Sequence, residues 1–494
     1  MTAIDQRVSP VRRPDHFFIG GQWSQPSSTA RIDVVDSASE EVFLSVAEAS
    51  AADIEAAVAA ARNAFDNGPW PRMSPKARAE ILNRIADGIA AREEAFADSW
   101  TQESGVLRTM SGHSATGLAA TFRFYADLAE KFPWEEPRTS AFGQPALLVR
   151  EAVGVVAAIV PWNAPGQLMT QKVAPALIAG CTLIIKASPE APSAPYLLAE
   201  VCEEASLPAG VVNVLTADRE VSELLVRHPG VDKVSFTGST AAGRRIASIC
   251  GERIARCTLE LGGKSPAVIL DDYDLDKAAE ALARAAPVMS GQVCASLTRI
   301  IVGDARHDDL VDALSGAFAK IRVGDPFDPA SQMGPLAIER QRDRVERYIE
   351  IGKAEGARLA TGGGRPSHLN RGFYIEPTVF GDVDNQSTIA REEIFGPVVS
   401  VIRAADEEQA IAIANDSIFG LNASVFTNDP DRAYAVGRRL RSGTVGHNAF
   451  KADFSIAFGG FKQSGIGREG GVEGLHPYLE TKTMIFESAP SAAG

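Results

Sequence analysis

The sequence predicts two doubly wound α/β lobes carrying an extended β arm, and three observations predict it. From Val153 to Leu261, short apolar runs alternate with amphipathic stretches over brief connections. That is the pattern of a parallel sheet covered by helices on both faces. The same rhythm returns from Ala267 to Phe461. Between Pro133 and Arg150 the chain instead reads as proline-bounded extended segments, and the tail Tyr478–Phe486 reads the same way.

Composition bounds the function. At 494 residues, 45% hydrophobic and 23% charged, the chain is long enough for two or three domains with cores of their own. A net charge of −14 argues against a nucleic-acid partner. The five cysteines lack paired spacing, which suits a reducing cytoplasm. Met1–Pro14 has no apolar signal core, and the longest apolar run, Val153–Trp162, is too short for a bilayer. The expectation is a cytoplasmic protein with no membrane partner.

Taken in order, Phe17–Trp23 reads as a hairpin turning at Gly20-Gly21. Ile54, Val58, Ala61 and Phe65 at helical spacing place a helix over Ala51–Asn67, capped near Ser50. Further helices are expected over Pro75–Ala91, Arg92–Ser104 and Ser111–Phe132. Residues 133–150 have open strand edges that need a partner, so with 475–490 they read as an oligomerisation arm of a homodimer or homotetramer. Strands are then expected at Val155–Val160, Thr182–Lys186, Val211–Leu215, Lys233–Thr237 and Arg256–Leu261. Helices at Gln167–Ile178, Ala194–Ala205, Glu220–Arg227 and Thr240–Ile249 alternate with them. In the second half, strands are expected near Ala267–Leu270, Arg299–Val302, Val398–Val401 and Ser424–Thr427, with Gly362–Gly364 a loop.

Ligands of such sheets bind beyond the carboxyl ends of the strands, which is where the chemically suggestive residues fall. Thr237-Gly238-Ser239-Thr240 with Gly243 is a strand, a glycine turn and a helix opening, where amides and a hydroxyl suit a phosphate or simply cap the helix. Lys186 ends its strand with Ser188 and Glu190 behind, a pair able to hold ribose hydroxyls or merely solvated. Asn163 ends another strand after Pro161-Trp162, and its amide can donate to an oxyanion or only make a turn. Lys172, on the next helix, reads equally as a surface charge and a proton relay. Glu260, alone between Leu259 and Leu261 before Gly262-Gly263, should be desolvated and raised toward general-base range. Cys294 follows Ser290-Gly291-Gln292, a step that can bend and expose a thiol; with a base nearby it becomes a nucleophile. No metal-ligand cluster is expected.

Six motifs in order carry a family resemblance. They are Pro161-Trp162-Asn163, Phe236–Thr240, Leu259–Lys264, Gly291–Cys294, Glu392–Val398 and Phe458–Gly465. From about Phe17 to Phe486 the chain resembles the NAD(P)-dependent aldehyde dehydrogenase superfamily. The resemblance implies a Rossmann-like cofactor-binding domain over 1–132 and 151–261, and a catalytic domain over 262–460. It implies that Cys294 attacks an aldehyde, that Asn163 and the Cys294 N–H hold the oxyanion, and that Glu260 activates water to hydrolyse a thioester. Lys186 would hold the adenosine ribose, Ser239 with Gly238 and Gly243 the pyrophosphate, and Glu393 the nicotinamide ribose. Phe395, Pro161, Trp162, Leu261 and Gly262 would line the rest of the cofactor site.

Two departures qualify it. Pro189 stands where many NAD-preferring relatives carry the ribose acid, leaving Glu190 one residue late; NAD is still favoured, with NADP possible. Aligned on Gly467-Arg468-Glu469-Gly470-Gly471, an auxiliary acid would fall at Val472, with Glu473 beside it. Val293, Ala295, Ala164, Leu168, Gln171 and Phe454 by analogy line the substrate channel without a basic residue, so an uncharged, apolar aldehyde is expected. The alternatives are a CoA-acylating semialdehyde dehydrogenase, which typically lacks the acid at Glu260, and a nucleotide-binding relative without catalysis.

Overall fold

A computed structural model describes residues 9–490; residues 1–8 of the Met1–Pro14 stretch lie outside the described residues. The hairpin β1 (Phe17–Ile19) and β2 (Gln22–Ser24) turns at Gly20-Gly21, both with positive φ. A second hairpin, β3 (Arg31–Val35) and β4 (Val42–Ala47), precedes α1 (Ala51–Asp66). Ser50 and Asp53 close a reciprocal capping box there. Next come α2 (Pro75–Ala90), α3 (Glu93–Ser104) and α4 (Arg108–Lys131), the last starting three residues before the expected Ser111.

The arm is β5 (Glu135–Thr139) and β6 (Pro145–Ala152). The first βα series follows: β7 (Val155–Ile159), α5 (Pro165–Ala179), β8 (Thr182–Ala187), α6 (Ser193–Glu204) and β9 (Val212–Thr216). It continues through α7 (Arg219–Arg227), β10 (Lys233–Thr237), α8 (Thr240–Glu252) and β11 (Arg256–Glu260). The order β11-β10-β7-β8-β9 is parallel, with β1 and β2 added antiparallel at one edge. Strands buried along their whole length, such as β7 and β8, read as unbroken apolar runs because helices cover both faces.

The second series runs β12 (Ser265–Ile269), α9 (Leu275–Ala285), β13 (Leu297–Gly303), α10 (His307–Phe318) and α11 (Glu339–Ala354). The hairpin β14 (Arg358–Thr361) and β15 (Thr378–Gly381) encloses Gly362–Gly364 in its connection. Then come α12 (Thr388–Arg391), β16 (Val398–Ala404), α13 (Glu407–Asn415), β17 (Asn422–Phe426), α14 (Pro430–Gly437) and β18 (Thr444–His447). They build a seven-stranded sheet, β14-β15-β16-β13-β12-β17-β18. The chain then crosses back, and β19 (Gly465–Ile466) pairs antiparallel with β11 in the first sheet. The tail strand β20 (Leu479–Ile485) joins β6, so arm and tail form one sheet, β20-β6-β5. Within this chain β6 is therefore already paired on both sides, and the open edges belong to β5 and β20.

Among the described residues, no helix is long and apolar enough to cross a membrane. All five cysteines are unpaired.

Candidate active site

The carboxyl ends of β7, β10 and β11 open on a cleft of about 730 Å³, closed on its far side by the Cys294 loop, α11 and the Glu393–Phe395 segment. Asn163, Ser239, Glu260, Leu261, Gly262, Cys294, Glu393 and Phe395 all line it. Sheet topology thus brings together residues from five motifs that lie up to 232 positions apart.

Glu260 is the last residue of β11, held in register opposite Thr237 of β10. It is 3% exposed, and neither carboxylate oxygen has a hydrogen-bond partner among the described residues. Burial, then the charge of Glu469, raises its pKa well above the usual carboxyl range. A backbone rather than a side chain packs beside it: a Cβ on Gly459 would lie 2.7 Å from Glu260 Oε1. Cys294 is partly exposed on the opposite wall. Burial, then Glu393 and Glu260, pushes its thiol up to about 12. Its loop lies against the turn after β11, where a Cβ on Gly263 would meet the Cys294 carbonyl oxygen at 2.1 Å. Only glycine admits that approach.

Asn163 is 7% exposed, and its Nδ2 donates to the Gln292 carbonyl at 3.0 Å. From α3, the Trp100 indole donates to the Asn163 carbonyl (2.7 Å) and the Ser104 hydroxyl to that of Trp162 (2.6 Å).

Lys172 is not a surface charge. Its side chain is fully buried on α5, pairs with Glu469, and donates to Thr237 Oγ1 at 2.6 Å. At the turn aligned for an auxiliary acid, Val472 and Glu473 are exposed, whereas Glu469 is 1% exposed and close enough to Glu260 to raise its pKa. The reason is topological. The antiparallel bridge between Phe458 and Glu469 pins this turn, and Glu469 points inward to Lys172 of α5. The available signal was a lone acid inside a glycine-rich turn, but nothing in sequence pairs it with a lysine 297 residues away.

The rest of the cleft has features of a nucleotide cradle, although Lys186, Glu190 and Gly243 are not among its lining residues. Lys186 is 7% exposed; burial lowers its pKa to about 8, against the pull of Glu190 and Asp218. Glu190 is held by Ser188 and by Arg340 of α11. Ser239 caps α8, accepting from Ala242 N at 3.3 Å, so the positive end of a 13-residue helix faces the cleft. Glu393 accepts from Gly263 N at 3.0 Å, and burial raises it to about 7. A Cβ on Gly262 would fall 2.4 Å from the Glu393 carboxylate. Two residues of α11 were not legible in sequence. Gln341 donates to Phe395 O (2.7 Å) and Ile394 O (3.2 Å), and Arg344 to Glu393 O (2.6 Å), clamping that segment. Phe395, at φ 62°, stands edge-on to Trp162 with ring centres 5.4 Å apart.

On the other side of Cys294, Val293, Phe450 and Phe454 pack with buried Ala295, Leu421 and Phe458, and the Phe454 and Phe458 rings lie 4.3 Å apart. Away from the cleft, His307, Asp308 and Asp382 come within ligand distance of one another. Arg403 contacts both carboxylates at 2.8 Å and Arg358 bonds Asp382 at 3.0 Å. The arginines already neutralise the acids, so this cluster is an ion-pair network and not a cation site.

A thiol and an unpartnered buried carboxyl thus share one cleft between two α/β sheets, the arrangement of an α/β enzyme. The chain belongs to the aldehyde dehydrogenase family, whose model matches residues 23–484. It is 45% identical over 472 residues to a geranial dehydrogenase of Castellaniella defragrans, covering 95% of this chain and 98% of that one. It is 41% identical to a betaine aldehyde dehydrogenase of Rhizobium leguminosarum, covering 96% and 98%. Its structure superposes on a Mycobacterium tuberculosis aldehyde dehydrogenase complexed with NAD+ at a TM-score of 0.93, with 44% identity over 97% of this chain and 99% of that one. A Pseudomonas syringae aldehyde dehydrogenase, crystallised as a mutant with NAD+ and octanal, matches at 0.91 with 39% identity over 97% and 98%.

Proposed function

We propose that this chain oxidises an uncharged, apolar aldehyde to the carboxylic acid with NAD(P)+, NAD+ favoured, through a covalent intermediate on Cys294 that Glu260 helps water to hydrolyse. The observation that carries the reading is the Glu260 carboxyl: dry, raised in pKa, unpartnered and facing the same cleft as the thiol. Such a group is poised to take a proton from water, which favours hydrolysis over transfer to CoA.

Lys186, Ser239 and Glu393 would hold the cofactor, with Gly238, Gly243, Leu261, Gly262, Pro161, Trp162 and Phe395 shaping its bed. When bound there, the nicotinamide supplies the hydride acceptor. Cys294 Sγ adds to the aldehyde carbon, and the resulting oxyanion is received by Asn163 Nδ2 and the Cys294 N–H. Once oxidation leaves a thioester, Glu260 takes a proton from water as the oxygen attacks, and the acid departs as the thiol is restored. Lys172 and Glu469 form a buried ionic pair behind Glu260 through which that proton can leave.

One feature supports NAD+ over NADP+. Glu190 and Asp218 both act on Lys186, and two carboxylates beside the ribose lysine repel a 2′-phosphate. The apolar lining around Cys294 supports an aldehyde like that named for the geranial relative over the cationic one named for the betaine aldehyde relatives. We also assign 1–132 with 151–261 to cofactor binding, 262–460 to catalysis, and 133–150 with 475–490 to a homo-oligomer arm. The test is a turnover screen of aliphatic, aromatic, terpenoid and trimethylammonium aldehydes with NAD+ and NADP+ in parallel. Apolar aldehydes with NAD+ should give the highest kcat/KM. Preference for the trimethylammonium substrate would overturn the substrate assignment, and no aldehyde turnover at all would overturn the function.

A further inference from the structure

The loop that presents Cys294 is bent by three consecutive left-handed residues: Met289 (φ 50°), Ser290 (φ 55°) and Gly291 (φ 74°). For Met and Ser this conformation costs about 1 kcal/mol or more each, so it persists only where the surroundings over-determine it. They do so through two buried side chains. The Ser290 hydroxyl lies 2.8 Å from Gly334 O and 3.0 Å from Pro335 O. Gln292, with no exposed surface, uses both ends of its amide. Its Nε2 donates to Met289 O (3.0 Å) and Ser104 O (3.3 Å), and its Oε1 accepts from Ala337 N (2.9 Å).

The main chain of the same residue reaches the oxyanion donor. Gln292 O accepts from Asn163 Nδ2, and a carbonyl can only accept, so the amide nitrogen and not its oxygen faces the loop. An amide NH2 carries two protons at a fixed angle. Committing one to Gln292 O aims the other. Gln292 therefore ties four things into one register: its side chain joins the end of α3, the Cys294 loop and Ala337 ahead of α11, and its main chain adds Asn163.

We propose that Gln292 is a positioning residue for the oxyanion hole: its buried amide fixes the loop so that Asn163 and the Cys294 N–H converge on one point. The proposal rests on the roles given above to Cys294 and Asn163. Gln292 is fully buried and does not line the cleft, so its loss should act on kcat and leave cofactor affinity in place.

The test compares Gln292→Met, similar in length but without these hydrogen bonds, with the full-length wild type, rates being expressed per burst-titrated active site. Gln292→Met should lower kcat and kcat/KM for aldehyde together by about 100-fold, the scale of losing one oxyanion donor. NAD+ binding should stay within about threefold. In Gln292→Met/Asn163→Ala the loss should match Asn163→Ala alone, because both act on one donor. A merely structural role would lower the titrated site count while each remaining site turned over normally; that result, or multiplicative losses in the double variant, overturns the proposal. If Gln292→Met does not fold, Ser290→Ala carries the test, with kcat expected to fall about tenfold per site; an unchanged kcat there overturns it too. A wild type that oxidises no aldehyde defeats the proposed function, whereas an active wild type with an equally active Gln292→Met defeats this inference alone.

Discussion

The two sheets furnish opposite kinds of structure to one cleft. The first delivers Glu260 as the last residue of a regular strand, laddered to β10 along its whole length and backed by the buried Lys172–Glu469 pair. The second delivers Cys294 from no strand at all, but from a left-handed loop three residues before β13. The difference suits what each group is proposed to do. A base of high proton affinity needs a dry, fixed setting, which a strand end under a helix provides. A nucleophile whose own N–H is to meet an oxyanion must keep that N–H out of a ladder, which a strand would consume.

The strongest way to break this comparison is to remove one group from each side. Cys294→Ala should lose aldehyde turnover by about 10⁴-fold or more while still binding NAD+ in a fluorescence titration. Glu260→Gln should slow steady-state turnover by about 10²–10³-fold yet retain the first burst of NADH. Equal loss of burst and steady state would assign Glu260 to thiol activation.

The buried pair sharpens the contrast in stability. Lys172→Met leaves Glu469 buried and alone, at a cost of about 3–5 kcal/mol, whereas Lys172→Met/Glu469→Leu should recover most of it. Urea-unfolding midpoints of the two variants decide this. An equally destabilised double variant would show that packing and not charge is at stake.

The thiol offers a pH test. With Cys294 pushed up to about 12 by burial and by Glu393 and Glu260, the thiolate is a minor species in the cofactor-free enzyme. Below its pKa the thiolate fraction grows tenfold per pH unit, so alkylation by iodoacetamide should accelerate about tenfold per unit between pH 7 and 9. A flat profile would mean a thiolate already formed at rest.

The smallest effect on chemistry is expected at the arm. Phe142 in the turn between β5 and β6 is 91% exposed and Ile485 at the end of β20 58%, apolar surface that a second copy would cover. Sedimentation should show a dimer or tetramer, and Phe142→Asp/Ile485→Asp should weaken it with little change in kcat per site. A monomeric wild type would refute the arm assignment.

Much of this was legible along the chain. The first βα series lies within a few residues of its expected bounds because buried parallel strands are unbroken apolar runs and two of the helices, α7 and α8, carry side-chain caps. Cys294, Glu260 and Asn163 were singled out because each is a chemically able group at a strand end or bend. Lys172 stayed ambiguous because a lysine on a helix looks alike whether it faces water or another helix; α5 is covered on every side, and sequence does not show that. Glu469, Gln341 and Arg344 escaped for the same reason, as each gains its meaning from a partner at least 49 residues away.

By itself, then, the sequence determined the two α/β lobes, the arm and the family and singled out Cys294 and Glu260 as candidates, because local periodicity and short motifs encode strands, turns and reactive groups. Tertiary structure alone decided which acid stands behind Glu260, that Lys172 is buried, and that arm and tail share a sheet. It also decided that Gln292 locks the cysteine loop. Those facts depend on burial and on contacts between distant segments, and a one-dimensional pattern carries neither.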